Sequence, residues 1–137
     1  MIPFNQFYEQ EILSVTEPIF IEGVGELSAK VDTGNEGYNV LHAINISEID
    51  DSKIRFLTND KTVVKKIVDR MEIHIGSGHN EDRYVVEFNV KFKNKFYENV
   101  PFTLADRSEN GFPVLIGEPF LKKIDALVDT NGEQVLS

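Results

Sequence analysis

The chain has 137 residues, 41% apolar and 27% charged, with a formal net charge of -9 and no cysteine. That length supports one domain with a real core, and the composition is globular rather than disordered. It excludes disulfide staples and thiolate chemistry, a membrane-spanning helix, since no apolar run approaches ~20 residues, and the basic footprint of a nucleic-acid partner.

The first 16 residues read as an N-terminal extension with Phe4, Phe7 and Tyr8 as apolar anchors, ahead of one domain over 17–130 and a polar tail over 131–137. The start carries no basic region followed by an apolar stretch, so no signal peptide is read, and a cytoplasmic chain is expected. Ile19, Phe20 and Ile21 form a strand-like run ending at Glu22-Gly23. Gly25-Glu26 turns the chain into a second strand over 27–32, and the pair reads as a hairpin. Past Gly37, residues 38–46 read as one further strand, followed by a polar segment over 47–52 with a turn at Asp50-Asp51. Ile54, Phe56 and Thr58 alternate with Arg55 and Leu57, Asn59-Asp60 signals a turn, and 62–68 returns with strand propensity. Residues 53–68 thus read as a second hairpin.

Met71, Ile73 and Ile75 face one way in a strand over 70–75, and a glycine-containing loop spans 76–80. Val86, Phe88, Val90 and Phe92 share one face of a long strand over 84–92. Its partner, 96–104, contains Pro101, which implies an edge or a bulge. After a polar loop, 105–111, and an apolar run, 112–116, Gly117-Glu118-Pro119 opens a helix, where proline loses no needed donor. Phe120, Leu121 and Ile124 give that helix an inward face, and Lys122 and Lys123 suit its C-terminal end. Residues 125–129 read as a last short strand. The sum is all-β, mostly antiparallel, with one short C-terminal helix: a small barrel or folded sheet. Lys61, Lys65, Lys66 and Arg70 form the one basic cluster and read as a solvated strand edge.

The chemistry centres on residues 29–42, AKVDTGNEGYNVLH. A short strand ending in Asp32 and a tight turn holds a carboxylate rigidly at the surface of a core. Gly34 permits close backbone approach, and the Thr33 hydroxyl can bond sideways to a backbone or to a second copy of itself. A partial echo of the motif, at residues 127–132, carries an extra asparagine and has little chain after it to support an active half.

The segments AKVDTG with LHA at 41–43, PFTLADRS at 101–108 and FPVLIGEPFL at 112–121, with the closing LVD at 127–129, together resemble the retropepsin-like aspartic peptidases. The likeness is nearest to a bacterial and archaeal group labelled ATP-dependent zinc proteases, some of which accompany a glutamate ligase that modifies a ribosomal protein. The resemblance implies a closed β-barrel of the retroviral-protease type and a homodimer in which each subunit supplies one aspartate. Asp32, Thr33 and Gly34 match the catalytic turn, and Leu115-Ile116-Gly117 the apolar segment beneath it. It implies cleavage of a peptide or protein substrate by water activated between the paired aspartates, and a flap over the bound peptide. The hairpin tip around Asn59 and Asp60 is the first candidate flap, the loop Gly76–His79 the second. The alternative is a catalytically weak or inactive module of the same fold that binds peptides or a partner protein.

The sequence departs from the resembling group after Gly34, where Asn35 and Glu36 stand in place of a small residue and an arginine. Glu118 likewise replaces a basic residue. These changes raise the negative charge expected around the cleft, where Asn35 and Glu36 would meet substrate. Arg107 is either a charge partner for an acid there, such as Glu36, or a structural pin for its own loop. His42, His74 and His79 are far apart and form no HExxH motif, so no cofactor is expected and zinc is the lesser reading. No phosphate-binding loop ending in lysine and serine or threonine is present.

Overall fold

The computed structural model describes residues 16–32, 37–74, 78–109 and 111–122. The last strand expected at 125–129 and both ends of the chain lie outside them. The first hairpin forms as its pattern implies: β1 (Thr16–Ile21) and β2 (Gly25–Val31) pair antiparallel, with Ile19 opposite Leu27. Alternation sends Ile19, Ile21, Ala29 and Val31 inward. The stretch expected as one strand over 38–46 instead divides at Ala43, whose N–H donates to the Ala105 carbonyl at 3.0 Å. β3 (Asn39–His42) belongs to the barrel, and β4 (Ile44–Asp50) leaves it for a second sheet. β4 also absorbs most of the segment read as polar. Its side chains are exposed on both faces toward its end, so it carries no alternation to read.

β5 (Lys53–Thr58) and β6 (Lys61–Lys66) form the expected hairpin, with positive φ at both Asn59 and Asp60, the backbone of a two-residue hairpin turn. β7 (Asp69–His74) pairs with the start of β8 (Asn80–Phe92), and β8 pairs with β9 (Lys95–Ala105). β10 (Val114–Ile116) is followed by helix α1, residues 118–122. Two pairings had no local sequence signature: β10 runs parallel to β2, and β3 parallel to β9.

The strand order β1-β2-β10-β3-β9-β8 closes on itself where Phe20 and Ile21 of β1 meet Lys91 and Val90 of β8. The result is a small closed barrel of six strands, with β7 added outside β8, and β4-β5-β6 as a separate three-stranded sheet. Closure leaves the ring no free edge. Pro101 fits because its carbonyl faces the β3 side, where it accepts from Asn39 Nδ2 at 3.1 Å one residue before the β3–β9 pairing starts at Phe102; the missing N–H on that side breaks no ladder bond. The bulge falls two residues earlier. There the β8–β9 register shifts between Phe88 and Val90, and Asn99 takes a φ of 55°.

Phe88 and Phe102 meet edge-to-face at the centre of the core, with ring centroids 5.9 Å apart. Ile54 and Phe56 from β5 enter the same core. α1 closes one side by setting Phe120 edge-to-face on Phe92 and Tyr97, at 5.8 and 5.1 Å.

Candidate active site

Asp32 is the residue immediately after β2, half-buried, and its backbone position is fixed from beneath. Its N–H donates to the Ile116 carbonyl at 3.0 Å, extending the parallel β2–β10 ladder by one bond. The next residue of β10's exit, Gly117, donates its N–H to Asn39 Oδ1 at 2.9 Å. Asn39 is 4% exposed; its Nδ2 donates to the Pro101 carbonyl and its own carbonyl accepts from Thr103 Oγ1 at 3.3 Å. One buried amide thus joins β3, β9 and the β10–α1 junction directly below the aspartate. Nothing in the sequence singles Asn39 out within the strand read over 38–46, because its partners, Pro101 and Gly117, are 62 and 78 positions away. A carboxylate on this mount can accept a proton or a hydrogen bond. Amide hydrolysis without a covalent intermediate asks for a second acid opposite it.

Thr33, Gly34, Asn35 and Glu36 lie outside the described residues. Asn59 and Asp60 sit at the β5–β6 tip, which is tied down: Asn59 Nδ2 and Lys61 Nζ both donate to the Val24 carbonyl, at 2.8 and 2.6 Å. Val24 precedes β2 and Asp32 follows it, so at ~3.3 Å per residue the two are about 26 Å apart along the strand. A flap role for Asn59 and Asp60 would need both Val24 bonds to break. Of the second candidate, Gly78 and His79 are described, at the start of the return into β8. The β7–β8 hairpin they join stands outside the closed ring.

Arg107 is half-buried and acts first on its own loop. Its N–H donates to His42 Nδ1 at 2.8 Å and its Nε to the Phe112 carbonyl at 2.9 Å. His42 in turn donates its N–H to the Pro113 carbonyl at 2.7 Å, so the loop entering β10 is pinned from both sides. Burial, and then the like charge of Arg83, draw the Arg107 pKa below its ordinary value. Arg83, absent from the expected site, is held by Glu81 at 2.7 Å. Asp106 Oδ1 lies 3.8 Å from His42 Nδ1. That nitrogen also accepts from the Arg107 amide. The Ser108 hydroxyl and N–H bond the same Asp106 oxygen and hold its carboxyl below the usual range.

Glu118 at the start of α1 pairs with Lys122 at 3.3 Å, which offsets part of the charge expected from it. Among the described residues no group of three or more His, Cys, Asp or Glu is placed to hold a metal, and no helix is long and apolar enough to cross a membrane.

Comparison with known proteins adds to this geometry. A family model described as RimB-like, retropepsin-like aspartic endopeptidase RimB, matches residues 12–136. That description is of an aspartic endopeptidase, and the zinc-protease label of the resembling group has no counterpart in it. The crystal structure of a protein of unknown function from Legionella pneumophila is similar, with a TM-score of 0.64 and 28% identity over 86% of this chain and 87% of that one. No curated protein gives a significant match.

Proposed function

The chain belongs to the RimB-like family of retropepsin-like aspartic endopeptidases, and from that premise we propose that it cleaves peptide bonds in a homodimer, with one Asp32 from each copy. The observation that carries the reading is the mount: Asp32 follows β2 on a bond to Ile116, beside an Asn39–Gly117 bond that ties the neighbouring strand ends together. An acid that must meet another acid within hydrogen-bond distance needs such a support.

Two carboxylates that close cannot both ionise comfortably, so the pair shares one proton and titrates as a unit. The ionised member accepts a proton from a bound water as the water oxygen attacks the substrate carbonyl. The protonated member donates to the carbonyl oxygen. The tetrahedral intermediate then collapses, the C–N bond breaks, and the leaving nitrogen takes a proton from the pair. Thr33 would bond across the interface, and Gly34 would offer its N–H to the carboxylates. Asn35 and Glu36 would meet the peptide beside the dyad.

Of the two hairpins, β7–β8 is the better flap in this reading. β8 continues past its partners in the ring, and the base of the hairpin carries Arg83 beside the Arg107 loop that leads into β10. The β5–β6 tip is bound elsewhere. The test is Asp32→Asn, with peptide cleavage followed by mass spectrometry and assembly by sedimentation. Cleavage should vanish while fold and dimer persist; a variant cutting at the wild-type rate overturns the reading.

A further inference from the structure

The β4-β5-β6 sheet takes no part in the ring, yet it is fixed to the barrel at several points. Its tip is bound to Val24, Ile54 and Phe56 enter the core, and Lys65 Nζ lies 4.4 Å from the centroid of the Phe88 ring. The β7–β8 hairpin is the opposite case. Among the described residues β7 pairs with β8 alone, and β8 gains its ring partner β9 only from Val85 onward.

These two parts meet at one cluster. Glu48 of β4 accepts from the Tyr84 hydroxyl of β8 at 2.5 Å. Arg70 of β7, directly opposite Tyr84 in the ladder, lies over the Tyr84 ring at 5.5 Å and reaches Glu48 Oε1 at 3.8 Å. An exposed Glu–Arg pair alone would add little. A carboxylate that engages a phenol and a guanidinium on paired strands fixes the hairpin's angle as well as adding energy. The bond to Glu48 is also the first cause raising the Tyr84 pKa, as expected of a phenol whose proton is committed to a carboxylate.

We propose that Glu48 is a positioning residue for peptide cleavage: the second sheet is a fixed brace, and through Tyr84 and Arg70 it sets the height of the β7–β8 hairpin over the bound peptide. This rests on the hairpin's role as flap in the preceding section. The residue acts through the hairpin and touches no substrate.

The test uses the full-length chain and two readouts. Amide hydrogen exchange should quicken by about ten-fold over residues 69–74 and 80–85 in Glu48→Ala and in Tyr84→Phe, with β2 and β10 unaffected. The double variant should go no further than Glu48→Ala alone, and Glu48→Gln, which keeps an acceptor for the phenol, should recover most of the protection. On an unstructured peptide that the wild type cleaves, Glu48→Ala should raise KM more than it lowers kcat. Unchanged exchange overturns the brace. Faster exchange with wild-type KM and kcat overturns the positioning role. A wild-type chain that cuts no peptide removes that role together with the peptidase reading, while the exchange data still decide the brace.

Discussion

A buried asparagine persists in a barrel wall only when its amide is engaged at both ends, and Asn39 meets that condition with Gly117 and Pro101. Asn39→Ala leaves the Gly117 N–H and the Pro101 carbonyl without those partners, and should cost about 2–4 kcal/mol in urea unfolding. The loss should extend to activity, because Gly117 follows the residue that bonds Asp32. A second residue-scale expectation concerns Asp106. Its carboxyl is held below the usual range first by the Ser108 hydroxyl and then by the Ser108 N–H. Such a group favours the folded state above its unfolded pKa, and the contribution is lost as pH falls through the lower, folded value. Ser108→Ala removes the first cause and keeps the second, so an NMR titration of Asp106 should show its pKa moving part of the way back up.

At the scale of elements, the β1–β2 turn serves two hairpins at once. Gly25 has a φ of +116°, and a Cβ there would stand 3.1 Å from Asn59 Nδ2 and 3.2 Å from Lys61 Nζ. Gly23 has a φ of +85° with open space around it. Gly23→Ala should therefore cost only the backbone term, about 1 kcal/mol. Gly25→Ala should cost distinctly more in the same unfolding assay, because the two donors to Val24 must also give way. Equal costs would mean that the β5–β6 tip yields freely. The same elements show which parts of the fold were open to reading. The β1–β2, β5–β6 and β8–β9 hairpins rest on period-two alternation and turn residues, both local, and the sequence displays them. The break at Ala43 is decided by the Ala105 carbonyl, 62 positions away, and nothing in 38–46 marks it. Asp32 stood out through its turn. Asn39, Arg83 and Glu48 did not, because their roles come from partners brought together by the fold.

At the scale of the whole molecule, ring closure ties the aspartate's mount to pairings that are far apart in the chain. β2 is held to β10, β10 to β3 and β3 to β9, two of these pairings being parallel and so dependent on long crossovers. One chain, so closed, presents one Asp32. The proposed chemistry needs two, and a two-fold interface would bring the same turn from each copy to the same place. The stoichiometry of inactivation separates this from a site complete within one chain. Wild-type and Asp32→Asn chains, unfolded together in equal amounts and refolded, should form mixed dimers at random and leave about one quarter of the dimers with both aspartates. Peptide cleavage per total chain should then fall to about one quarter of the all-wild-type value. If each chain worked alone, half would remain. Dilution adds a second, independent reading of the same claim: activity per chain should decline as the dimer dissociates, and constant specific activity through dissociation, measured by sedimentation on the same samples, would leave the shared-proton mechanism without its second acid.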